Sequence, residues 1–380
     1  MCRLAIISHT VEFEQLRPEW DRLWQSGHDP LPYQRWDWVA LYLRRYPSRP
    51  MRIVTCRNDD GQLVGVAHLW QRRLRLMPLI VVQEIVGQDK ALYTDFLVHP
   101  ENSLDTTRAI LRCALRMGGV LHMKLPEPSL TAECMLDNSI GTVCGYSTRF
   151  VIDVPGTAET YIASRGVQTR RNIRLALRKV TAEHKVTFRA IGFGPELDDA
   201  LSRLWRLNAL RWGRNYSPQQ WEFYCQICRQ LASEGLFRVF ALELDGTPAA
   251  MVSAEIGKLT IYMSVAGIDP GYRRYSIGTL LYVHCVDWAN KEGYARVDFG
   301  SGTEEYKSRL STRTWKKYRA LAGGVVARTL FHLDTAVCQS LWHVRHTIGK
   351  MLGRHRVRPE LVETTRVSQG PADGADSGPC

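Results

Sequence analysis

The chain lacks any apolar run long enough to cross a bilayer: Leu76–Val82 is among the longest, far short of the ~20 residues a spanning helix needs. It also lacks a disulfide framework. Its ten cysteines are scattered without regular spacing, the usage expected of a reducing compartment. Met1-Cys2-Arg3 followed by Leu4–Ile7 is too short for a secretory leader and reads as a first strand. Paired metal ligands are missing as well. Cys225-Gln226-Ile227-Cys228 has no second pair to complete a zinc site, and it aligns with Trp221 and Leu231 on one helix face, so core packing is expected. Asp298-Phe299-Gly300 imitates a kinase metal triplet, but no His-Arg-Asp loop or Gly-rich phosphate loop accompanies it, which excludes that chemistry. Acidic residues are in deficit, 38 against 50 Lys and Arg, for a formal charge of +12. That excess implies an anionic partner: a phosphorylated cofactor, nucleic acid, an acidic glycan or an anionic lipid surface.

What is present suffices for two cores, since 380 residues exceed what a single small core needs. Phe13, Leu16, Trp20, Leu23 and Trp24 predict a first amphipathic helix, and Tyr33–Trp38 opens a second that reaches about Tyr46. Met51–Cys56 and Leu63–Trp70 flank Asn58-Asp59-Asp60-Gly61 as a hairpin. A strand through Ile80–Ile85, a helix over Leu104–Met117 and a strand over Val120–Leu125 follow. The second half repeats this plan. Phe237–Leu244, Asp245-Gly246 and Ala249–Ile256 answer the first hairpin, and Asp269-Pro270, a helix, Gly293 and a strand answer His99-Pro100, a helix, Gly119 and a strand. Order-preserving recurrence predicts two copies of one α/β unit.

Gly267–Lys307 is the most informative stretch. Arg273-Arg274-Tyr275-Ser276-Ile277-Gly278 lies directly ahead of a helix whose Ile277, Leu281, Cys285 and Trp288 share one face. A basic loop at a helix N-terminus is an anion site, because free backbone N–H groups and the positive dipole end point at whatever docks there. Only the second copy has it; the first has Glu101-Asn102-Ser103-Leu104-Asp105, acidic where a phosphate would sit.

Arg273-x-x-Ser-x-Gly278 resembles the pyrophosphate-binding signature of the GNAT acyltransferases, with Ser276 where the commoner signature has Gly. With the later Asp-Phe-Gly-x-Gly-x-x-x-Tyr-Lys, the set is similar to the CelD-like acetyltransferases, relatives of the Fem peptidyl transferases. Tyr161 with Arg170-Arg171-Asn172-Ile173-Arg174, and Tyr93-Thr94-Asp95-Phe96-Leu97, also resemble segments of that family. The resemblance implies an α/β (α+β) fold of tandem GNAT-like units with mixed sheets flanked by helices, one unit degenerate. It implies acetyl-CoA or another acyl-CoA as co-substrate and no metal. Arg273, Arg274, Tyr275, Ser276, Ile277 and Gly278 would hold the cofactor phosphates. Tyr93, Asp95, Arg171 and Arg174 become substrate contacts, although Asp95 also reads as a turn carboxylate and the basic helix as a solvated face. Asp298 is the first candidate for the base or a substrate anchor, or else a turn carboxylate satisfied by the amides of Gly300 and Gly302. Glu255 is the reserve base. Tyr306 would protonate the departing thiolate or pack as an aromatic, and Lys307 would pair with Glu304, Glu305 or a phosphate.

The expected boundaries are a degenerate GNAT-like domain over 1–150 and a catalytic acyl-CoA domain over 151–325. A basic amphipathic helix over 326–358 and a disordered tail over 359–380 complete the chain. Leu330, Leu333, Val337, Leu341, Val344, Ile348 and Met351 form the apolar seam of that helix, which Arg345, Lys350, Arg354, Arg356 and Arg358 make basic. It would pack on the body, on a partner chain, or on a membrane from the cytoplasmic face. The expected acceptor is an amine- or hydroxyl-bearing small molecule or glycan precursor of the cell envelope. A Fem-type ligase using aminoacyl-tRNA, or a non-catalytic CoA-binding scaffold, are the alternatives, and nucleic acid is expected only as tRNA.

Overall fold

A computed structural model describes residues 3–137, 141–212, 217–302 and 304–351. The tail expected over 359–380, with the last residues of the basic helix, lies outside the described residues. In the first half, β1 (Arg3–Ile7) leads to α1 (Thr10–Gln15), α2 (Arg17–Ser26) and α3 (Trp36–Arg45). The single helix expected over Phe13–Trp24 is broken at Leu16, with Pro18 entering the first turn of α2, the part of a helix where a missing N–H is tolerated. Then come β2 (Met51–Arg57), β3 (Leu63–Arg73), β4 (Val81–Ile85), β5 (Leu97–Val98), α4 (Ser103–Arg116), β6 (Val120–Pro126), α5 (Leu130–Asp137) and β7 (Gly141–Asp153).

Two helices, α6 (Ala158–Ala163) and α7 (Val167–Glu183), link the halves. The second half runs β8 (Val186–Ile191), α8 (Leu197–Trp212), α9 (Pro218–Ser233), β9 (Phe237–Leu244), β10 (Thr247–Ile256), β11 (Thr260–Ile268), α10 (Ile277–Lys291), β12 (Arg296–Ser301), α11 (Glu305–Leu310) and β13 (Arg313–Gly323), and α12 (Val325–Met351) follows. Ser217 and Gln220 close a reciprocal capping box at the start of α9, as their spacing predicts.

Among the described residues the strands form one sheet in the order β1-β2-β3-β4-β6-β13-β7-β12-β11-β10-β9-β8, with β5 beside β3. The order reads nearly the same from either end. β4 pairs parallel with β6 as β11 does with β12, each pair joined by a crossover through α4 or α10. The last strand of each half crosses over: β7 pairs with β12, and β13 pairs with β6. The two exchanged strands then pair antiparallel with each other at the centre. The fold is thus α/β with a mixed sheet flanked by helices, as expected, but one sheet serves both halves. Residue 150 lies inside β7, so the chain order and the spatial halves part company there.

One face of the sheet carries α1–α3, α8 and α9 over a core that contains Trp20, Tyr33, Trp38, Tyr93, Leu204, Phe223 and Tyr262. On the other face, α6, α7 and α10 cover the second half and α4 and α5 the first. Cys225 and Cys228 are buried in the first of these cores, and burial pushes both thiols up. These are packing residues.

Candidate functional site

The site forms where β11 and β12 part. They pair only through Thr260–Tyr262 and Arg296–Asp298. Beyond that point β11 stays with β10, with a bulge opposite Ser253. Ser253 Oγ accepts from the Val265 amide (3.0 Å) and lies 3.0 Å from the Tyr224 hydroxyl, which pins the bulge. β12 turns at Gly300, whose φ of +68° suits glycine and whose amide donates to Asp298 Oδ1 at 2.7 Å. Side chains before the opening alternate between the two faces, so the parting strands offer a different surface on each side of the sheet.

On the α10 side, Asp269 caps a 3-10 turn over Pro270–Tyr275 by accepting from the Gly271 amide at 2.8 Å. Ser276 then takes a left-handed conformation, φ 51° and ψ 38°, and α10 begins. Gly278 lies close against the end of the Ile268 side chain, where an added Cβ would come within 2.5 Å of Cδ1 and the isoleucine would have to shift. Ser276, Thr279 and Tyr306 share a pocket of about 120 Å³ with Thr169, Asn172, Ile173 and Arg309. The first amides of α10 have no carbonyl partner within the helix, and the Tyr306 ring stacks on Tyr282 with centroids 5.7 Å apart.

The neighbours of Ser276 are engaged elsewhere. Tyr275 is buried; its hydroxyl donates to Glu183 Oε2 at 2.5 Å and lies 3.2 Å from His184 Nε2. Arg274 pairs with Glu183 at 3.0 Å, while Arg273 is exposed. Arg171 and Arg174 are exposed on α7, and Arg174 pairs with Glu159. The wall of the pocket is made instead by Thr169, Asn172, Ile173 and Ala176 of the same helix.

On the opposite face lies a cavity of about 430 Å³ whose lining includes Asp29, Asp95, Arg149, Tyr262, Arg296 and Trp315. Asp298 sits beneath it with no exposed surface. Its Oδ2 accepts from Arg149 Nε at 2.5 Å, and its Oδ1 from the Tyr93 hydroxyl at 3.1 Å as well as from Gly300. The Arg149 guanidinium lies 4.4 Å from the Tyr93 ring centroid and 4.8 Å from that of Trp315. Arg296 pairs with Asp29 at 2.6 Å. Asp95 Oδ1 accepts from the Phe96 amide at 2.8 Å and from Thr131 Oγ1. Burial outweighs those hydrogen bonds and raises its carboxyl to about 6.

Glu255 faces the same side, directly across from Tyr262 in the β10–β11 register. Tyr33 donates to its Oε2 at 3.2 Å, and burial lifts its carboxyl to about 7. Lys307 is buried at the other edge, where Nζ donates to the Ser301 carbonyl (2.9 Å) and lies 3.3 Å from Glu304. It braces the turn after β12.

The two groups of sequence candidates therefore fall on opposite faces of one opening: Ser276, Gly278 and Tyr306 on one, Tyr93, Asp95, Glu255 and Asp298 on the other. Arg149, Tyr33, Tyr262, Arg296 and Trp315 escaped the sequence reading. Arg149 sits in Tyr146-Ser147-Thr148-Arg149-Phe150, an ordinary strand with no local signal. It meets Asp298 only because β7 crosses to the other half.

Residues 167–308 match a family model described as an acetyltransferase (GNAT) domain. The matched segment spans less than half of the chain. No curated protein sequence matches the chain. Among solved structures, FemX superposes with a TM-score of 0.63 at 11% identity, over 87% of this chain and 99% of its own. The C-terminal domain of a protein assigned as a lysylphosphatidylglycerol synthetase in Agrobacterium fabrum gives 0.55 at 11%, over 86% and 96%. A protein of unknown function from Bacteroides thetaiotaomicron gives 0.53 at 12%, over 84% and 100%. At such identities the likeness is one of fold. The two pockets, one at the start of α10 and one across the same opening, differ in size and in lining. No helix among the described residues is long and apolar enough to cross a membrane.

Proposed function

We propose that the protein is an N-acyltransferase of the CelD-like kind. It would transfer an acetyl or other acyl group from CoA to an amine or hydroxyl of a cell-envelope or polysaccharide precursor. The observation that carries this reading is the pairing of a phosphate-sized pocket at the start of α10 with an acceptor-sized cavity across the same strand opening. The Ile277 and Gly278 amides would hold the CoA phosphates with Arg273 outside them, the Ser276 amide being engaged by the Arg273 carbonyl at 3.1 Å, and the pantetheine arm would pass between β11 and β12. The acceptor enters the opposite cavity, where Asp95 and Trp315 take its polar groups and ring or chain. The free thiols of the chain, eight of them among the described residues, fit a cytoplasmic setting.

The acceptor nucleophile attacks the thioester carbonyl and forms the new C–N or C–O bond. Glu255, poised near neutrality by burial, takes the nucleophile's proton with Tyr33 holding its other charge state in place. The C–S bond breaks and the thiolate takes a proton from Tyr306. Asp298 is assigned a positioning role, since its lone pairs already serve Arg149, Tyr93 and Gly300.

A second reading, an aminoacyl-tRNA-dependent ligase, is favoured by one feature: Arg171, Arg174, Arg178 and Lys179 form an exposed basic face on α7 beside the α10 pocket. CoA and tRNA affinities measured side by side against salt separate the two, because contacts to many phosphates give a steep salt slope. Thiol release from acetyl-CoA with a panel of amines and amino sugars tests turnover. Tight CoA binding with no acceptor eliciting thiol release would make the protein a CoA-binding scaffold instead.

A further inference from the structure

The β3–β4 connection, Leu74–Ile80, is anchored to the body and yet displays aliphatic side chains to solvent. Leu74, with Met77 and Ile80 beside it, joins a small core with Phe331 and Ala327 of α12. The Leu76 amide donates to Asp334 Oδ1 of the same helix at 2.7 Å. Leu76 is nevertheless 47% exposed and Leu79 90%. Arg73 and Arg75 flank this tip and are exposed, and Arg73 Nη1 donates to the Pro78 carbonyl at 2.7 Å, so its charge is held against the tip.

Next to the tip, α12 turns a second apolar stripe outward. Leu333, Val337, Leu341 and Val344 are all exposed, and their steps of four, four and three keep them on one helix face. Asp334, the tether of the tip, lies beside Leu333 and three residues before Val337, so the stripe runs on from the tip. Residues 325–358 contain Arg328, Arg345, Lys350, Arg354, Arg356 and Arg358 against one carboxylate, Asp334, and that carboxylate is buried. Exposed aliphatic residues on a loop tip and a helix ridge, with Arg73 and Arg75 flanking the tip and a sequence beyond it rich in cations and poor in acids, are what an anionic bilayer surface complements: methyl groups enter the acyl boundary and guanidinium groups stay with the headgroup phosphates.

We propose that the β3–β4 tip and the outer face of α12 dock the protein on an anionic lipid surface. Flotation of the full chain with phosphatidylcholine vesicles, with and without phosphatidylglycerol, tests this. Binding is expected only when phosphatidylglycerol is present, and it should fall as salt is raised. Leu76→Asp with Leu79→Asp should weaken it by about tenfold or more with an unchanged melting temperature and unchanged acyl transfer in solution. Arg73→Glu with Arg75→Glu should weaken it too, through charge alone. Absence of vesicle binding at low salt overturns the proposal, and so does equal binding by the Leu→Asp variant. Self-association in sedimentation velocity, abolished by Leu79→Asp and without vesicle binding, would assign the face to a second copy of the chain and equally overturn it.

Discussion

The two halves place the same elements around the same parallel strand junction and fill it oppositely. In the first half, Glu84 on β4 and His122 on β6 face each other at 3.1 Å, and Arg72 reaches Glu84 at 3.0 Å. Burial alone would raise the Glu84 carboxyl, but His122 and Arg72 outweigh it and bring it to about 2. The Phe331 ring of α12 closes over His122, centroids 5.1 Å apart. In the second half the matching register positions are Tyr262 and Asp298, and a cavity opens above them. By the same register Trp70 occupies in the first half the place that Glu255 takes in the second. At this junction the first half is sealed and its carboxylate paired, while the second keeps Glu255 poised to titrate. The same backbone junction is thus filled with paired charges in one half and left open in the other.

A graded set of substitutions should break or sharpen that contrast. The largest effect is expected at Glu255 and Tyr306. Glu255→Gln should lower turnover by about 10²–10⁴-fold and remove a rising limb of kcat/KM near pH 7, whereas Trp70→Phe in the first half should leave that limb in place. Steady-state rates across pH read both. The folded carboxyl of Glu255 lies above its unfolded value, so its favourable contribution is full below about pH 4.5 and is lost as pH rises through about 7. Glu255→Gln should therefore gain stability on the parent between those limits, on the order of 2–3 kcal/mol at most, measurable by urea titration at pH 5 and pH 8. Tyr306→Phe should slow thiol release comparably with CoA affinity nearly intact, and equal rates in the variant would remove Tyr306 from the chemistry.

Next in size is the buried ion pair. Arg149→Met leaves Asp298 charged and without its cation, which should destabilise the fold by about 3–5 kcal/mol. Arg149→Met with Asp298→Leu should recover most of that loss without restoring turnover, if the pair positions Tyr93 and the cavity wall. Recovered stability and full activity together would show the pair to be structural only.

A smaller effect is expected at the phosphate loop. Arg274 is already paired with Glu183, so Arg273→Ala should weaken CoA binding more than Arg274→Ala does. Each should fall by roughly 1–2 kcal/mol or less in calorimetry. The smallest is Ser276→Gly. Ser276 holds a left-handed conformation that disfavours any side chain by about 1 kcal/mol, so glycine should raise the unfolding free energy by about that amount. A loss of stability would mean that the Ser276 hydroxyl holds the loop.

Much of this protein was legible along the chain, because it is local. Hairpins announce themselves by turn residues between alternating runs, and Phe237–Leu244 and Met51–Arg57 came out nearly as read. The α9 cap and the stop of α10 at Gly293, with its φ of +80°, follow from backbone chemistry within a few residues. The recurrence of these local signals revealed the repeated plan, and Arg273-Arg274-Tyr275-Ser276 and Glu101-Asn102-Ser103 differ in charge between the two copies. Tertiary structure alone decided the rest. β7 and β13 carry few turn signals, and their exchange joins residues 149 positions apart in Arg149 and Asp298. No window of sequence contains both charges, so neither the commitment of Asp298 to that pair nor the burial that leaves Glu255 titratable could be read beforehand. Burial is a property of what packs from elsewhere, and here it determines which carboxylate is committed to an ion pair and which is left poised.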